Sequence, residues 1–266
     1  MIFSVIGTGN MGKALVSGFL SKGILTPADI RVCDSDEDKV KSYAQQTGCT
    51  AYTNASEAVK GADYVLLCVK PQVIDRTIQE FLQDLSPETV IVSIAASVKI
   101  ARLRSLLHNT TPIVRVMPNT PALVGAAVSA VCFEGVNDEN RSFVLDLLET
   151  CGIVVPCDEK MLDAIGCVSG TGPAYVMLFI ESLADAAVKL GIPRATALEI
   201  AAMTVYGSGK LAVETKMHPA VLKDQVCSPG GTTIEGVLAL EKYGLRAAVE
   251  AAVVAADDKT RLLAGG

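Results

Sequence analysis

The chain is 266 residues long, half of them hydrophobic, with no Trp, 5% aromatic residues and a formal net charge of −6. That length suits one large or two modest domains, with a core made mostly of Ala, Val, Leu and Ile. An acidic balance without a basic cluster argues against nucleic acid as a partner, and no uninterrupted apolar run reaches bilayer-spanning length, so no membrane partner is expected.

The apolar run Ile2 to Ile6 reads as a first strand. Directly after it stands Gly7-Thr8-Gly9-Asn10-Met11-Gly12, which opens a helix-like stretch from Met11 to Lys22, stopped by Gly23. A strand before and a helix after are the context in which G-x-G-x-x-G marks the phosphate-binding turn for a dinucleotide. The first glycine permits a tight turn, the second lets the backbone approach a pyrophosphate, and the third lets helix pack on strand. N–H groups at the helix start then face the phosphates.

Ile30 to Cys33 reads as a second strand and Ser35 to Thr47 as a polar-faced helix ended by Gly48. Tyr64 to Val69 is continuously apolar, as a strand buried on both faces must be. Helical patterns over Gln72 to Leu85, Lys99 to Leu107 and Asp138 to Thr150 then alternate with strand-like Val90 to Ile94, Ile113 to Met117, Ala127 to Phe133 and Gly152 to Val155. Such alternation predicts an α/β domain over residues 1–158, a doubly wound parallel sheet with helices on both faces.

The pattern changes near Asp158. Tyr175 to Leu190, Ala195 to Glu214, Pro219 to Val226, Ile234 to Tyr243 and Leu245 to Leu263 all read as helices, giving an all-α domain over residues 159–266. Its helices are rich in alanine, which permits close approach, and apolar enough to predict burial against another subunit rather than a self-contained bundle.

Eight cysteines lie scattered without C-x-x-C pairing, and the only histidines are His108 and His218. This is neither a zinc pattern nor a disulfide framework, so no metal is expected and a reducing compartment is. With the first strand starting at Ile2 there is no room for a signal peptide, which points to a cytoplasmic location. The cysteines are expected to act as small buried apolar residues.

Asp34 follows the second strand, where a carboxylate accepts hydrogen bonds from the adenosine ribose and favours NAD. A 2′-phosphate would meet like charge there, sharpened by Asp36, Glu37 and Asp38, and Lys39 is the nearest cation downstream. NADH is therefore expected over NADPH. Asp34 is equally placed to be the N-cap of the helix that follows, a role compatible with the ribose contact.

Loops after the later strands sit where an open α/β sheet binds ligands: Cys68-Val69-Lys70-Pro71, Ile94-Ala95-Ala96-Ser97 and Arg115 to Pro121. The helical half adds Ser169 to Tyr175 and Leu222 to Ile234, the latter containing Ser228-Pro229-Gly230-Gly231-Thr232-Thr233. A glycine-rich turn running into a helix is a ready site for a small carboxylate.

Together these segments resemble pyrroline-5-carboxylate reductase, in the same order and spacing from Ile2 to the last helix. Lys223 to Ile234 is the most specific part and the glycine turn the least. The resemblance implies a Rossmann domain, a helical domain interlocked with its twin in a homodimer, and assembly of such dimers into rings, often decamers. It implies reduction of 1-pyrroline-5-carboxylate to L-proline by NADH or NADPH.

By the same resemblance Thr233 contacts the ring nitrogen, and Ser228, Gly230, Gly231 and Thr232 hold the carboxylate. Val69, Lys70, Pro71, Ala95, Ala96 and Gln225 line the cofactor beside Gly7 to Gly12 and Asp34. Thr233 is the catalytic candidate, as an orienting group, because an ordinary hydroxyl is too weak an acid to be the proton's source. The chain departs from the family at Ser97, where Gly is common, at Thr171, where Ser is usual, and at Lys216, where some relatives carry an acid.

Rival readings remain. A β-hydroxyacid dehydrogenase shares this layout but relies on a lysine after its second glycine-rich motif, and here no lysine follows Gly170 until Lys189. Oxidation of an alcohol needs such a base, whereas imine reduction does not. A reductase of another cyclic imine and a non-catalytic NAD sensor stay open, since fold alone excludes neither.

Overall fold

The apolar runs become a single sheet. Its strands are β1 (Phe3–Ile6), β2 (Ile30–Cys33), β3 (Thr50–Tyr52), β4 (Tyr64–Leu67), β5 (Val90–Ser93), β6 (Ile113–Met117), β7 (Ala127–Glu134) and β8 (Gly152–Pro156). They lie in the order β3-β2-β1-β4-β5-β6-β7-β8. The computed structural model describes residues 1–263. The described chain forms two compact units, one of Met1–Thr171 with the chain from Ala256 onward, the other Gly172–Ala255.

Every residue of β1, β4 and β5 is buried. That follows from helices on both faces. One face is covered by α1 (Asn10–Ser21), α2 (Glu37–Thr47) and α6 (Asp138–Glu149), through Leu15, Phe19, Val40, Tyr43 and Leu147 packed with Phe3, Val5 and Val32. The other face carries α3 (Ala55–Val59), α4 (Ile74–Phe81), α5 (Ile100–Leu106) and α7 (Glu159–Ser169), through Ala58, Ile78, Phe81, Leu103 and Leu162 packed with Val65 and Leu67.

The expected parallel sheet holds for every neighbouring pair but one. β7 runs antiparallel to β6, with Val116 opposite Val131, while all other neighbours are parallel. The reason is in the connection. Residues 118–126 hold Pro118, Pro121, a 3₁₀ turn over Thr120–Val124 and Gly125 at φ 71°. A parallel return needs a crossover of a dozen residues or more.

The helix after β2 also begins later than expected. Its N-cap is Asp36, whose side chain accepts from the Lys39 N–H, so Asp34 is not the cap.

α7 is fixed to the sheet by charge. Arg115 of β6 is 2% exposed, and its guanidinium reaches Glu159 at 2.9 Å and Asp163 at 2.6 Å. Both carboxylates lie on α7, one turn apart, and Glu159 also accepts from the Ile100 N–H that opens α5.

The second unit contains α8 (Gly172–Lys189), α9 (Arg194–Thr215), α10 (Pro219–Val226), α11 (Thr232–Lys242) and most of α12 (Leu245–Leu263). α8 and α9 meet over Ala184, Ala197 and Ala201, whose small side chains permit a close approach. Large apolar groups such as Met177, Leu178, Met203, Tyr206 and Val213 remain more than half exposed.

By length and composition alone, the helical run Glu159–Lys189 is apolar enough to cross a membrane, which the sequence reading did not foresee. Its first third, however, carries the ion pairs to Arg115 and buries Leu162, Gly166 and Cys167 in the first unit. That first third is therefore committed to the packing of the first unit.

Candidate active site

The strand order reverses between β1 and β4, because the chain passes from β1 outward to β2 and β3 before returning on β1's other side. A crevice outside the carboxyl ends of strands is expected at such a point. There the turn after β1 meets the loop after β4.

The three glycines of the turn meet three different surroundings. Gly7 has φ 103°, and a Cβ on it would lie 2.7 Å from the Cys68 carbonyl oxygen. At Gly12 a Cβ would lie 2.6 Å from the Gly7 oxygen. At Gly9 the space is open. Gly9 is also the N-cap of α1 and has no side chain to satisfy the helix's first N–H groups. Open space in front of unpaired amides fits a phosphate, so the residues present suit a dinucleotide's pyrophosphate.

Two cavities flank this point. One, of about 440 Å³, is lined by Gly7, Gly9, Asp34, Val69 and Lys70 together with Ser35, Lys39, Thr53 and Arg76. The other, of about 340 Å³, is lined by Gly9, Asn10, Met11, Val69, Lys70, Pro71, Ala95 and Ala96 together with Met117 and Pro118. Gly9, Cys68, Val69 and Lys70 are common to both. A larger cavity of about 710 Å³ opens among Asp63, Tyr64, Thr89 and Pro112, at the strands' amino ends, away from the glycine turn.

Asp34 is heavily engaged. Its Oδ2 accepts from the Thr8 amide at 2.8 Å, the Thr8 hydroxyl at 2.7 Å and the Lys39 ammonium at 2.6 Å. Its Oδ1 accepts from the Asp36 N–H at 3.2 Å. Burial alone would raise its pKa, but the Lys39 and Thr8 hydrogen bonds, with help from Asp36, outweigh burial and bring it down to about 2. Thr8 is buried and turned toward Asp34 rather than into either cavity.

In the second unit the chain from Ser228 forms a turn closed by the Gly231 N–H on the Ser228 oxygen at 3.0 Å. Gly230 has φ 68°, and a Cβ on Gly231 would strike the Ser228 hydroxyl. Gly231 caps α11 without a side-chain bond, so Thr232 and Thr233 occupy its first turn with Glu235. Ser228, Thr232, Thr233 and Gln225 are exposed.

The first unit therefore brings together Gly7, Gly9, Asn10, Met11, Asp34, Val69, Lys70, Pro71, Ala95 and Ala96 around the crevice. Thr8 and Gly12 support it from behind. Sequence reasoning missed Arg76, and it placed Met117 and Pro118 in a ligand-facing loop without giving either a role of its own. Arg76 has no local signature; it reaches the crevice only because α4 follows Pro71.

Residues 159–263 match the family model described as pyrroline-5-carboxylate reductase dimerisation. Residues 2–97 match the model described as NADP oxidoreductase, coenzyme F420-dependent. Pyrroline-5-carboxylate reductase of Escherichia coli K12 is 42% identical over 97% of this chain and 96% of its own length. The chain belongs to the pyrroline-5-carboxylate reductase family.

Solved structures of the family agree. That of a Coxiella burnetii pyrroline-5-carboxylate reductase superposes with a TM-score of 0.90 at 30% identity, covering 98% of this chain and 97% of that one. The Plasmodium falciparum pyrroline carboxylate reductase, solved with NADP bound, gives 0.89 at 31% identity, covering 99% of this chain and 98% of that one.

The cysteines are mostly shielded from solvent. Cys33, Cys49, Cys132, Cys151 and Cys167 are buried, and Cys68, Cys157 and Cys227 are partly so. Burial pushes the Cys33 and Cys132 thiols up to about 11, and that of Cys68 higher still.

Proposed function

We propose that this protein reduces 1-pyrroline-5-carboxylate to L-proline with a nicotinamide dinucleotide, the last step of proline biosynthesis. The observation that carries this reading is similarity to the Escherichia coli reductase over 97% of the chain. The glycine turn and its crevice support it from this chain's own geometry.

The unpaired amides at the start of α1 hold the pyrophosphate. Asp34 marks the adenosine end, and the cavity floored by Ala95, Ala96, Met117 and Pro118 takes the nicotinamide end. When bound, the dinucleotide supplies the hydride for the imine carbon.

The Ser228–Gly231 turn and the first amides of α11 hold the substrate's carboxylate. The Thr233 hydroxyl orients the ring nitrogen, whose proton arrives with the protonated imine or from water. Most of the acceleration then comes from holding the two reactants in contact.

NADH is preferred over NADPH in this reading, because Asp34 stays ionised at any physiological pH. Ion pairing to Lys39 softens the preference, so NADPH is also used. The protein works as a homodimer through the helical unit, and such dimers join into rings, as decamers. The family match to a dimerisation domain supports the first step. Eight unpaired cysteines support a reducing, cytoplasmic setting.

The test is oxidation of NADH and of NADPH, followed at the nicotinamide absorbance with pyrroline-5-carboxylate as substrate. Turnover with both, faster per molar coenzyme with NADH, is expected. Dinucleotide binding without turnover would overturn the reading.

A further inference from the structure

The loop after β6 does two things at once. Met117 and Pro118 line the crevice beside Ala95 and Ala96. The next residue, Asn119, turns the other way and is 6% exposed. Its Oδ1 accepts from the Val128 N–H at 2.9 Å, and its Nδ2 donates to the Ser169 carbonyl oxygen at 2.9 Å.

Ser169 ends α7. A continuing helix would give its carbonyl an N–H four residues on, but that residue is Pro173, which has none. A half-buried carbonyl left without a donor is costly, and Asn119 supplies the donor.

The packing below is equally specific. A Cβ on Gly170 would lie 2.7 Å from the Gly166 oxygen and 3.1 Å from Met117 Cε. A Cβ on Gly166 would lie 3.1 Å from Met117 Cγ. Met117 thus seats against the end of α7 while it lines the crevice. Crevice wall and turn are held in one register by adjacent residues.

We propose that Asn119 is a positioning residue, fixing the turn Ser169–Thr171 against the crevice wall formed by Met117 and Pro118. The inference rests on the reductase reading and takes Ser169 to Tyr175, one of the ligand-facing segments of the sequence, as part of the substrate pocket. Asn119 touches neither reactant. Its Val128 bond anchors the loop carrying Met117 and Pro118 and its Ser169 bond anchors the turn, so loss of the second alone disturbs placement of the imine and leaves dinucleotide affinity alone.

Asn119→Asp tests this with one atom. The carboxylate still accepts from the Val128 N–H but faces the Ser169 oxygen without a proton. Burial beside a carbonyl raises such a carboxyl's pKa, and once protonated it regains the donor. At pH 8 the variant's kcat/KM for the imine is expected to fall roughly tenfold or more, the scale of one lost positioning contact. The NADH Kd, read by fluorescence titration, stays within about twofold. The variant-to-wild-type ratio should climb back as pH is lowered toward about 5.5. Asn119→Ala, which makes neither bond, should show the loss without the recovery, and serves if the aspartate variant does not fold.

An Asn119→Asp activity equal to wild type at pH 8, a ratio flat with pH, or an equal loss in NADH affinity overturns the inference while the reductase reading stands. A wild-type protein that binds NADH but leaves the imine unreduced overturns both.

Discussion

Asp34 shows how one side chain serves two demands. Three donors converge on one oxygen of a carboxylate that is 12% exposed. Two of them, the Thr8 amide and hydroxyl, tie the glycine turn to the end of β2. The third, Lys39, is a cation lining the same cavity as Asp34. Replacing Asp34 with Ser releases Lys39 and removes the like charge. The NADPH/NADH ratio of kcat/KM should rise about tenfold, equivalent to about 1.4 kcal/mol. Absolute use of NADH should fall as well, since Thr8 loses its acceptor. A ratio unchanged by Asp34→Ser would remove Asp34 from coenzyme choice.

The same contacts set a pH dependence. The folded-state pKa of Asp34 is depressed to about 2, so its contribution is full above the ordinary aspartate value near 4 and is lost as pH falls through about 2. Linkage puts that contribution at about 1–2 kcal/mol, part of it screened because Lys39 is 36% exposed. Acid unfolding curves of wild type and Asp34→Asn should converge below about pH 2 and separate above about pH 4. Thr233 is the corresponding residue in the second unit. Thr233→Ala should lower imine turnover about tenfold or more, the scale of one lost orienting contact, and leave NADH binding intact. Unchanged steady-state kinetics would remove its orienting role.

Among elements, α7 carries the structural weight that the sequence disclosed least. Its pattern is interrupted by Gly166 and Gly170, and its partner Arg115 lies 44 and 48 residues from Glu159 and Asp163. Nothing local announces such an ion pair. β3 and α3 were hidden for a simpler reason, being only 3 and 5 residues long. The antiparallel β7 was readable in principle, since two prolines and a short connection leave no room for a crossover helix. The buried central strands were legible because apolar continuity is itself the consequence of two-sided burial. The glycine turn was legible because each glycine answers to a backbone constraint. Lys39 and Arg76 converge only in the fold.

Arg115→Ala tests the α7 clamp. It removes a buried cation and leaves two carboxylates, 31% and 24% exposed, facing each other. Water reaches both, so the cost should be about 2–4 kcal/mol, at or below that of breaking a fully buried pair. On a protein of this size that lowers Tm by roughly 5–15 °C. Adding Glu159→Gln and Asp163→Asn should restore part of it, because the remaining repulsion goes. A melting curve for Arg115→Ala within a degree of wild type would show the pair to be incidental.

At the scale of the whole molecule, the two units differ in how they satisfy their apolar surface. The first closes around the sheet with clusters on both faces. The second buries only alanines in its core cluster and leaves Met177 at 63%, Leu178 at 64%, Met203 at 64% and Val213 at 74% exposure. Burial of such groups is worth roughly 1.5–3 kcal/mol each, and a monomer seldom exposes so many together. A second copy of the helical unit is the cover that the family match suggests. Light scattering after gel filtration should therefore find a dimer or a multiple of it down to low micromolar concentration. Tm should rise with protein concentration, as mass action requires when only the folded chain associates. Leu178→Asp, placed on an exposed helical face, should shift the population toward monomer while the sheet domain still binds NADH. A wild-type protein that elutes as a stable monomer would leave the helical unit's surface without an explanation and would count against an interlocked pair.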